Sequence, residues 1–231
     1  MIDWHSHILP AMDDGSKDVS ESLAMLDVMR SQGVKTVIAT PHFHANEETV
    51  DEFLSRRQRS YDALCADMKD CGVELLCGAE VKYYPGISRM EDLKKLCIGP
   101  TKLLLLEMPM TKWTDFTLQE LIELANTSGL KIVMAHIERY LRMQDKQTIK
   151  QLCESGIKMQ VNASFFSRIA SRKRALNLLQ MGFIHFIGSD CHNMTMRPPN
   201  IDSAYNVIRK KMGEDFVSQM IGYGNTMLDK Q

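Results

Sequence analysis

Side chains that bind metal ions recur in this sequence at the ends of short apolar segments. Nine histidines and carboxylates occupy such ends or, in one case, the loop that follows: His5, His7, Asp14, His42, Glu80, Glu107, His136, Asp190 and His192. Five of the 7 histidines belong to this set, whereas histidines placed without regard to function would scatter through the chain. Imidazole together with carboxylate suits Mn, Fe or Zn. Because nine donors exceed what one ion coordinates, the pattern predicts two or three metal ions.

The apolar segments predict seven strands, at residues 2–7, 36–42, 73–81, 102–109, 131–137, 158–164 and 185–192. Amphipathic stretches between them predict helices that each stop at a glycine, at residues 18–32, 46–71, 115–128, 143–155 and 166–181. Two more helices are expected near 201–212 and 214–222.

This strand–helix alternation predicts an α/β fold whose parallel strands are joined by right-handed crossovers. An open doubly wound sheet would satisfy the same alternation. The even recurrence of the unit, with polar residues at one end of nearly every strand, favours a closed, TIM-like barrel. Active sites of such barrels lie at the carboxyl ends of the strands, so the nine residues are expected to converge at one mouth.

Spacing within the first strand predicts which side chains share a face. Residues two apart on a strand point the same way, so Asp3, His5 and His7 are expected on one face. His5 and His7 can then bind the same ion, as can Asp190 and His192 on their own strand. Asp3 lies deeper and is expected to orient a histidine rather than to bind metal.

Composition narrows the remaining classes of function. The chain has 231 residues with 44% hydrophobic residues and a formal net charge of -1, so no basic excess indicates a nucleic-acid partner. No apolar run approaches the roughly 20 residues that span a bilayer, and the start lacks a signal-peptide pattern. Six cysteines without a C-x-x-C pair fit free thiols in a reducing cytoplasm.

Several motifs resemble a known superfamily. DWHSH, TPH and SDCH match, in order, the D-x-H-x-H motif and two later motifs of the PHP superfamily. HILPAMDDGSKDVSESLAML, GVKTVIATPHF, GAEV, LLLEMP, AHIERY and RPPN are further similar to the bacterial manganese-dependent protein tyrosine phosphatases of capsular and exopolysaccharide operons, the CpsB/YwqE type. The resemblance covers almost the whole chain. Cys191 is a departure, since relatives commonly carry a small residue between Asp and His.

The resemblance implies a distorted seven-stranded (β/α)7 barrel, formed by residues 1–231 as one domain, with a trinuclear metal site. The implied ligand sets are His5, His7, Glu80 and Asp190 for one metal; Glu80 as a bridge with Glu107 and His136 for a second; and Asp14, His42 and His192 for a third. Asp13 could exchange roles with Asp14, although it is expected to be a turn residue before Gly15.

The implied function is hydrolysis of phosphotyrosine by attack of a metal-bridging hydroxide. Manganese is the expected metal, with Fe, Zn or Mg as alternatives. The implied partner is a phosphotyrosine protein, namely the tyrosine-rich tail of a membrane-associated tyrosine autokinase that controls polysaccharide export. This places the protein in the cytoplasm.

Two arginines are candidates to bind the phosphoryl group. Arg139 follows His136 by three residues, and Arg197 follows His192 by five. A planar guanidinium suits phosphate, although either residue could instead be a surface arginine. The arginines of the predicted helix 46–71 are expected to form a solvated face, with guidance of an acidic tail as the alternative.

Other readings of the sequence remain to be weighed against these. CHNMTMR has the C-x5-R form of cysteine-dependent phosphatases, but its loop lacks glycine and runs into Pro198 and Pro199, so it offers few backbone N–H groups for a phosphate. A phosphatase of a small phosphomonoester such as histidinol phosphate shares the same donor set. A binding module would be expected to have lost ligands, and an amidohydrolase to carry a lysine at a strand end.

Overall fold

The computed structural model describes residues 1–68 and 72–228. In these residues the strands are β1 (Ile2–Ser6), β2 (Thr36–Ala39), β3 (His42–Phe43), β4 (Glu74–Cys77), β5 (Glu80–Lys82), β6 (Leu103–Glu107), β7 (Lys131–Met134), β8 (Lys158–Asn162) and β9 (Phe186–Gly188). The α-helices are α1 (Val19–Ser31), α2 (Val50–Asp67), α3 (Asp115–Thr127), α4 (Lys146–Glu154), α5 (Ser164–Ser167), α6 (Ile169–Gln180), α7 (Ile201–Met212) and α8 (Glu214–Leu228). Short 3-10 helices occupy Ile87–Arg89, Glu91–Leu96 and Ile137–Arg139.

All strand pairs in these residues are parallel, as the alternation predicts. One sheet has the order β1-β2-β4, and a second, curled into a half-barrel, has the order β3-β5-β6-β7-β8-β9. The two predicted strands 36–42 and 73–81 are each broken in the middle, so that their halves fall in different sheets. Pro41 lies at the first break, where its missing N–H cannot continue a ladder.

Hydrogen bonds also join β1 to the segment that follows β9. Ser6 and Cys191 form a parallel bridge. The His7 N–H donates to the Cys191 carbonyl at 2.9 Å, and the Asp190 N–H donates to the His5 carbonyl at 2.8 Å. The fold is therefore mixed α/β with parallel strands, and the first and last strands of the chain are neighbours.

The helix starts follow side-chain caps. Thr49 and Glu52 form a reciprocal capping box before α2, and Asp18, Thr114 and Asp145 cap α1, α3 and α4. The glycines predicted to end helices have positive φ, the conformation that favours glycine: Gly33, Gly72, Gly129, Gly156 and Gly182.

Two helix predictions need correction. The helix predicted over 46–71 begins only at Val50, and its predicted residues 69–71 lie outside the described part of the chain. The helix predicted over 166–181 is interrupted at Arg168, whose extended backbone separates α5 from α6. The five cysteines that the structure describes are free, as expected, and Cys71 lies outside that part.

Buried apolar residues form two layers. The larger layer lies between strands and helices and includes Met25 of α1, Leu121 of α3 and Ile208 of α7. The smaller layer is built almost wholly from inward-facing strand residues: Ile2, Trp4, Ile38, Ile98, Leu103, Leu105, Val133, Ala135 and Phe186. Met227 and Leu228 at the end of α8 pack against this inner layer, so α8 covers part of it.

His185, which the sequence places away from the cluster, packs just before β9. Its Nδ1 accepts a hydrogen bond from the Met159 N–H at 3.1 Å, which requires the neutral ring. Burial, aided by the charge of Lys158, lowers the pKa of His185 from 6.5 to about 4. Below pH 6.5 the unfolded chain therefore takes up a proton that the folded chain refuses, so this residue makes stability fall as pH drops from 6.5 towards 4.

We expect His185→Asn, whose side-chain oxygen can still accept from Met159, to lose less stability over that pH range than the wild type. The difference in the free energy of unfolding should reach about 2 kcal/mol at pH 4. Urea denaturation of both metal-free proteins from pH 7.5 to 4 measures it. Titrations elsewhere in the molecule are common to both proteins, so parallel curves would contradict the prediction.

Candidate metal centre

The structure brings the nine predicted ligand residues into one cluster at the carboxyl ends of the strands. Their donor atoms form three groups, each with all members within 4.8 Å of one another: His7, Asp14, His42 and His192; His5, His7 and Asp190; and His42, Glu80 and Glu107. The ninth residue, His136, places Nε2 2.8 Å from an oxygen of Glu80 and 3.4 Å from an oxygen of Glu107. Because two histidines belong to two groups each, the groups are contiguous, and their division differs in detail from the implied ligand sets.

Most members of the cluster are shielded from solvent. Six of the nine residues are buried: His5, His7, Glu80, His136, Asp190 and His192. Asp14, in contrast, has a side chain 66% exposed, and it lies 3.3 Å from Nε2 of His192. Asp14 therefore marks the open side of the cluster.

A β-bulge in β1 aims the first two histidines. Asp3 pairs with Val37 and Ser6 with Ala39, so three steps along β1 run beside two steps along β2. Val37 and Ala39 belong to the layer beneath the helices, and Asp3 and Ser6 share that side with them. The extra residue lets both His5 and His7 face the interior.

The expectation that Asp3 shares a face with His5 and His7 is therefore wrong. The Asp3 carboxylate accepts from the backbone N–H groups of Ser189 at 2.7 Å and of His5 at 3.3 Å, rather than from an imidazole. Burial raises the pKa of Asp3 to about 6 despite these bonds. Asp3 thus ties β1 to the segment after β9, and it orients the backbone of His5 instead of its ring.

Two glycines allow the close backbone approach that the cluster requires. A Cβ atom on Gly188 would lie 2.5 Å from Cβ of His5, and one on Gly15 would lie 2.3 Å from the His7 carbonyl oxygen. Contacts this short exclude any side chain. Two ligands also have left-handed backbones, with φ of 32° at His136 and 54° at Asp190. Such strain in non-glycine residues is typical of functional sites.

Asp13 joins His7, which follows β1, to His42 at the start of β3. Its Oδ2 lies 2.7 Å from His7 Nδ1 and accepts from the His42 N–H at 2.9 Å, while Oδ1 accepts from the Gly15 N–H. The last bond confirms the expected turn before Gly15. The bond to His7 was not predicted, and it leaves Nε2 of that ring to face the cluster.

Sequence reasoning also missed two residues of β8 that form hydrogen bonds with members of the cluster. Gln160 Oε1 lies 3.3 Å from His5 Nδ1 and accepts from the His136 N–H at 2.7 Å. Asn162 donates to Asp190 at 2.7 Å. Two polar residues two apart at the end of β8 were a usable signal, because that strand otherwise contributes nothing to the predicted site.

Tyr140 and Phe43 pack in the core and do not line the groove beside the cluster. Tyr140 is fully buried, accepts from the Met108 N–H at 3.0 Å and lies 3.2 Å from His136 Nδ1. Phe43 is likewise fully buried, in the layer beneath the helices. Tyr140 therefore fixes the ring of His136, with Nε2 turned to the cluster.

The charges of the cluster call for cations. Burial disfavours a charged His7, yet hydrogen bonds to Asp13 and two other carboxylates hold its pKa well above its ordinary value. For His136, burial is likewise outweighed by Glu107 and Glu80, and its pKa rises to about 9. Protons bound to these histidines therefore supply the positive charge that the neighbouring carboxylates require.

Individual atoms fit the same conclusion. Nε2 of His5 and Nε2 of His7 face each other at 3.2 Å, and Nδ1 of His42 lies 3.1 Å from an oxygen of Glu80. Converging nitrogen and oxygen lone pairs without thiolates are the donor set of Mn, Fe or Zn sites. The residues present therefore fit bound divalent cations.

Arg139 and Arg197 both reach the cluster from its open side. Each guanidinium contacts Oδ2 of Asp190, and Arg197 Nη1 also lies 2.7 Å from His192 Nε2. The other oxygen of Asp190 faces the histidines, 3.6 Å from His5 and 3.5 Å from His7. Both arginine side chains are more than one-third exposed, so they lie between the cluster and solvent.

A groove opens beside the cluster, with a cavity volume of about 770 Å³. Arg139, Arg197 and Asp190 line it where it meets the metal ligands, and three further arginines line it as well: Arg142, Arg168 and Arg174. Glu138 also lines this groove, where burial raises its pKa to about 7. The groove therefore connects the cluster to solvent on the side of these arginines.

Cys191 does not have the environment of a nucleophilic thiol. It is fully buried in the layer beneath the helices, and this burial raises its pKa well above the usual value. The thiol points away from the face of Asp190 and His192, as the alternation predicts. The C-x5-R pattern is therefore a coincidence of spacing.

Comparison with known proteins agrees with this site. The family described as capsular polysaccharide synthesis, CpsB/CapC, matches residues 1–228. The chain belongs to this family. It is 30% identical to the tyrosine-protein phosphatase CpsB of Streptococcus agalactiae serotype V, over 95% of this chain and 94% of that protein. It is also 30% identical to the tyrosine-protein phosphatase YwqE of Bacillus subtilis, over 100% of this chain and 92% of that protein.

A solved structure from this family has the same fold as this chain. The crystal structures of YwqE from Bacillus subtilis and CpsB from Streptococcus pneumoniae, described as unique metal-dependent tyrosine phosphatases, match with a TM-score of 0.84 and 28% identity, covering 100% of this chain and 95% of that chain. This confirms the resemblance seen in the motifs. A putative histidinol phosphatase from Listeria monocytogenes matches with a TM-score of 0.50 and 10% identity, which shows a shared fold alone. Among the described residues, no helix is long and apolar enough to cross a membrane.

We expect Asp13→Asn to weaken divalent metal binding about 10- to 100-fold, because the carboxylate accepts at both oxygens whereas the amide has only one acceptor. With that oxygen towards His7 and the His42 N–H, the amide NH2 would face the Gly15 N–H. Competition titration with a metal-binding dye measures the affinity. Asp27→Asn, at an exposed carboxylate paired with Arg30, is the matched control and should bind metal like the wild type. Equal affinities for all three proteins would contradict a positioning role for Asp13.

Proposed function

We propose that this protein is a metal-dependent protein tyrosine phosphatase that acts on a phosphotyrosine protein of capsular or exopolysaccharide synthesis. The observation that carries the proposal is the cluster of nine nitrogen and oxygen donor residues beside an arginine-lined groove. Membership of the CpsB/CapC family supports it, as do full-length relatives named tyrosine-protein phosphatases.

A phosphatase of a small phosphomonoester is less well supported. The match to the putative histidinol phosphatase is limited to the fold, at 10% identity. Three additional arginines line the groove, which is more positive charge than one small phosphomonoester requires. A binding module without activity is disfavoured because the complete donor set is kept.

The nine donor residues would hold two or three divalent cations, with manganese as the proposed metal and Fe, Zn or Mg as alternatives. The proposed ligands are His5, His7, Asp14, His42, Glu80, Glu107, His136, Asp190 and His192. Such cations supply an activated water for attack on phosphorus and neutralise charge on the phosphoryl oxygens.

Arg139 and Arg197 are proposed to bind the phosphoryl group at the mouth of the cluster. Negative charge spreads over the equatorial oxygens in the transition state of phosphoryl transfer, so fixed guanidinium groups stabilise it. Their present contact with Asp190 holds them at the boundary between ligands and groove. Asn162 donates to the same oxygen of Asp190 that the arginines contact, so the other oxygen of this carboxylate is left to face the histidines.

The full fold is proposed to be a distorted, closed (β/α)7 barrel in which residues 1–231 form one PHP-type domain. The bridge between Ser6 and Cys191 supports closure between the first and last strands. Counting β2 with β3 and β4 with β5 as single interrupted strands gives the seven strands of this arrangement.

The proposed physiological substrate is the tyrosine-rich tail of a bacterial tyrosine autokinase, by analogy with the CpsB/YwqE type. This function places the protein in the cytoplasm, where such tails lie. The measurement that tests the partner is dephosphorylation of a purified bacterial tyrosine autokinase that is phosphorylated on its tail.

We expect the manganese-loaded protein to hydrolyse phosphotyrosine peptides and to leave histidinol phosphate largely intact. Chelation should abolish phosphate release because the donors alone cannot activate water, and added Mn²⁺ should restore it. Alkylation of thiols should have no effect, since Cys191 is buried. Release of phosphate, measured with malachite green, distinguishes these cases, and inactivation by alkylation but not by chelation would reverse the assignment.

We expect Arg139→Ala to lower kcat/KM for a phosphotyrosine peptide about 10²- to 10³-fold with unchanged metal content, because a transition-state contact is lost. Arg139→Lys should recover part of this loss, since it restores charge but not the planar fork. Arg59→Ala, at an exposed arginine of α2 far from these contacts, is the control. Wild-type kinetics in Arg139→Ala would rule the residue out as a phosphoryl ligand.

A further inference from the structure

Arginines line the groove well beyond the position of the reacting phosphate. Arg139 and Arg197 contact Asp190 at the cluster, and the remaining three line the same cavity: Arg142, Arg168 and Arg174. We call these last three the outer arginines. They come from two separate parts of the chain, the turn after the 3-10 helix Ile137–Arg139 and the start of α6. The chain as a whole carries a net charge of -1, so this is a local concentration of positive charge.

The outer arginines are not neutralised by carboxylates of the protein. Within residues 1–68 and 72–228, the guanidinium groups of Arg142 and Arg168 make no hydrogen bond or ion pair. Arg174 donates only to a neutral acceptor, the Leu141 carbonyl, at 2.9 Å. The groove-lining acids are Asp190, already in contact with Arg139 and Arg197, and the half-buried Glu138.

The arginines of α2, in contrast, are occupied by the fold. Arg56 forms a bidentate ion pair with Glu48, and Arg57 donates to the Gly78 carbonyl. Of the three arginines in this helix, only Arg59 remains exposed without such a contact in the described residues. Guidance of an acidic tail by α2 therefore has little support, and the groove offers the better placed charges.

The groove also presents apolar surface next to these charges. Met196 is 85% exposed and Met110 54% exposed, and both line the cavity. Methionine adapts to aromatic and aliphatic partners alike. Guanidinium groups bind carboxylates and phosphates in a bidentate manner. The combination fits an extended peptide with anionic and aromatic side chains near the residue that enters the cluster.

We propose that the outer arginines form a second anion subsite, which selects phosphotyrosine peptides carrying a carboxylate or a second phosphoryl group close to the reacting residue. The inference rests on the proposed phosphatase activity and names its substrate class. The reacting phosphotyrosine occupies the end of the groove at Arg139 and Arg197, and the flanking anion of the same peptide reaches the outer arginines.

Three matched phosphotyrosine peptides test the subsite. They differ only in the residues on either side of the reacting phosphotyrosine, which are alanine in the first peptide, glutamate in the second and a further phosphotyrosine in the third. With the manganese-loaded wild type we expect kcat/KM for the anionic peptides to exceed that for the alanine peptide roughly three- to ten-fold, as for a few partly exposed ion pairs. The glutamate and phosphotyrosine arms show which anion is preferred. The preference should diminish in high salt, since exposed pairs are screened.

Substitutions at the outer arginines separate recognition from structure. Because Arg142 and Arg168 make no contact through their guanidinium groups in the described chain, the double variant Arg142→Ala/Arg168→Ala removes no intramolecular bond. We expect the ratio between anionic and neutral peptides to fall towards one in this variant, and to stay at the wild-type value in Arg59→Ala. Arg168→Glu should favour a lysine-flanked peptide over the glutamate-flanked one.

The outcomes separate this subsite from the function on which it rests. Hydrolysis of all three peptides by the wild type without preference overturns the subsite and leaves the phosphatase assignment intact. An equal loss on all three peptides in the double variant, with the ratio retained, means a structural role and also overturns it. If the wild type hydrolyses none of the three peptides, both proposals fail.

Discussion

Carboxylates and imidazoles that face one another in a closed pocket can be held together only by positive charge placed between them. In this protein the carboxylates of Glu80 and Asp190 are buried, and several histidines crowd around them. Protons on the histidines and the guanidinium groups of Arg139 and Arg197 provide that charge. Divalent cations bound among these groups would compete with the protons, so metal affinity is expected to depend on pH.

The departures from regular structure are concentrated around this cluster. β1 carries its bulge at the two histidines, His136 and Asp190 have left-handed backbones, and glycine is required where strands approach closely. Behind these irregular points the strands and helices pack in ordinary apolar layers. The strain of the site is thus supported by a regular core, and ligands are held by backbone as much as by side chains.

Much of this arrangement could be predicted from the sequence because it follows from two simple sequence patterns. Strand–helix alternation predicted the parallel strands, and the position of histidines and carboxylates at strand ends predicted the cluster. The face of Asp3 could not be predicted, because a bulge shifts the alternation by one residue without changing residue types. Asp13 and the outer arginines escaped for another reason. Their roles depend on contacts between segments distant in the chain, such as Arg174 with the Leu141 carbonyl, that no local pattern encodes.

The last turn of α8 closes the interior from below. Met227 and Leu228 pack against the inner apolar layer, and a Cβ on Gly224 would lie 3.1 Å from Ile2, so this end of the strands is in close contact with the helix. The groove opens beside the cluster. Under the function proposed above, a peptide lying in that groove covers the way out of the cluster, so the inorganic phosphate is expected to leave after the peptide.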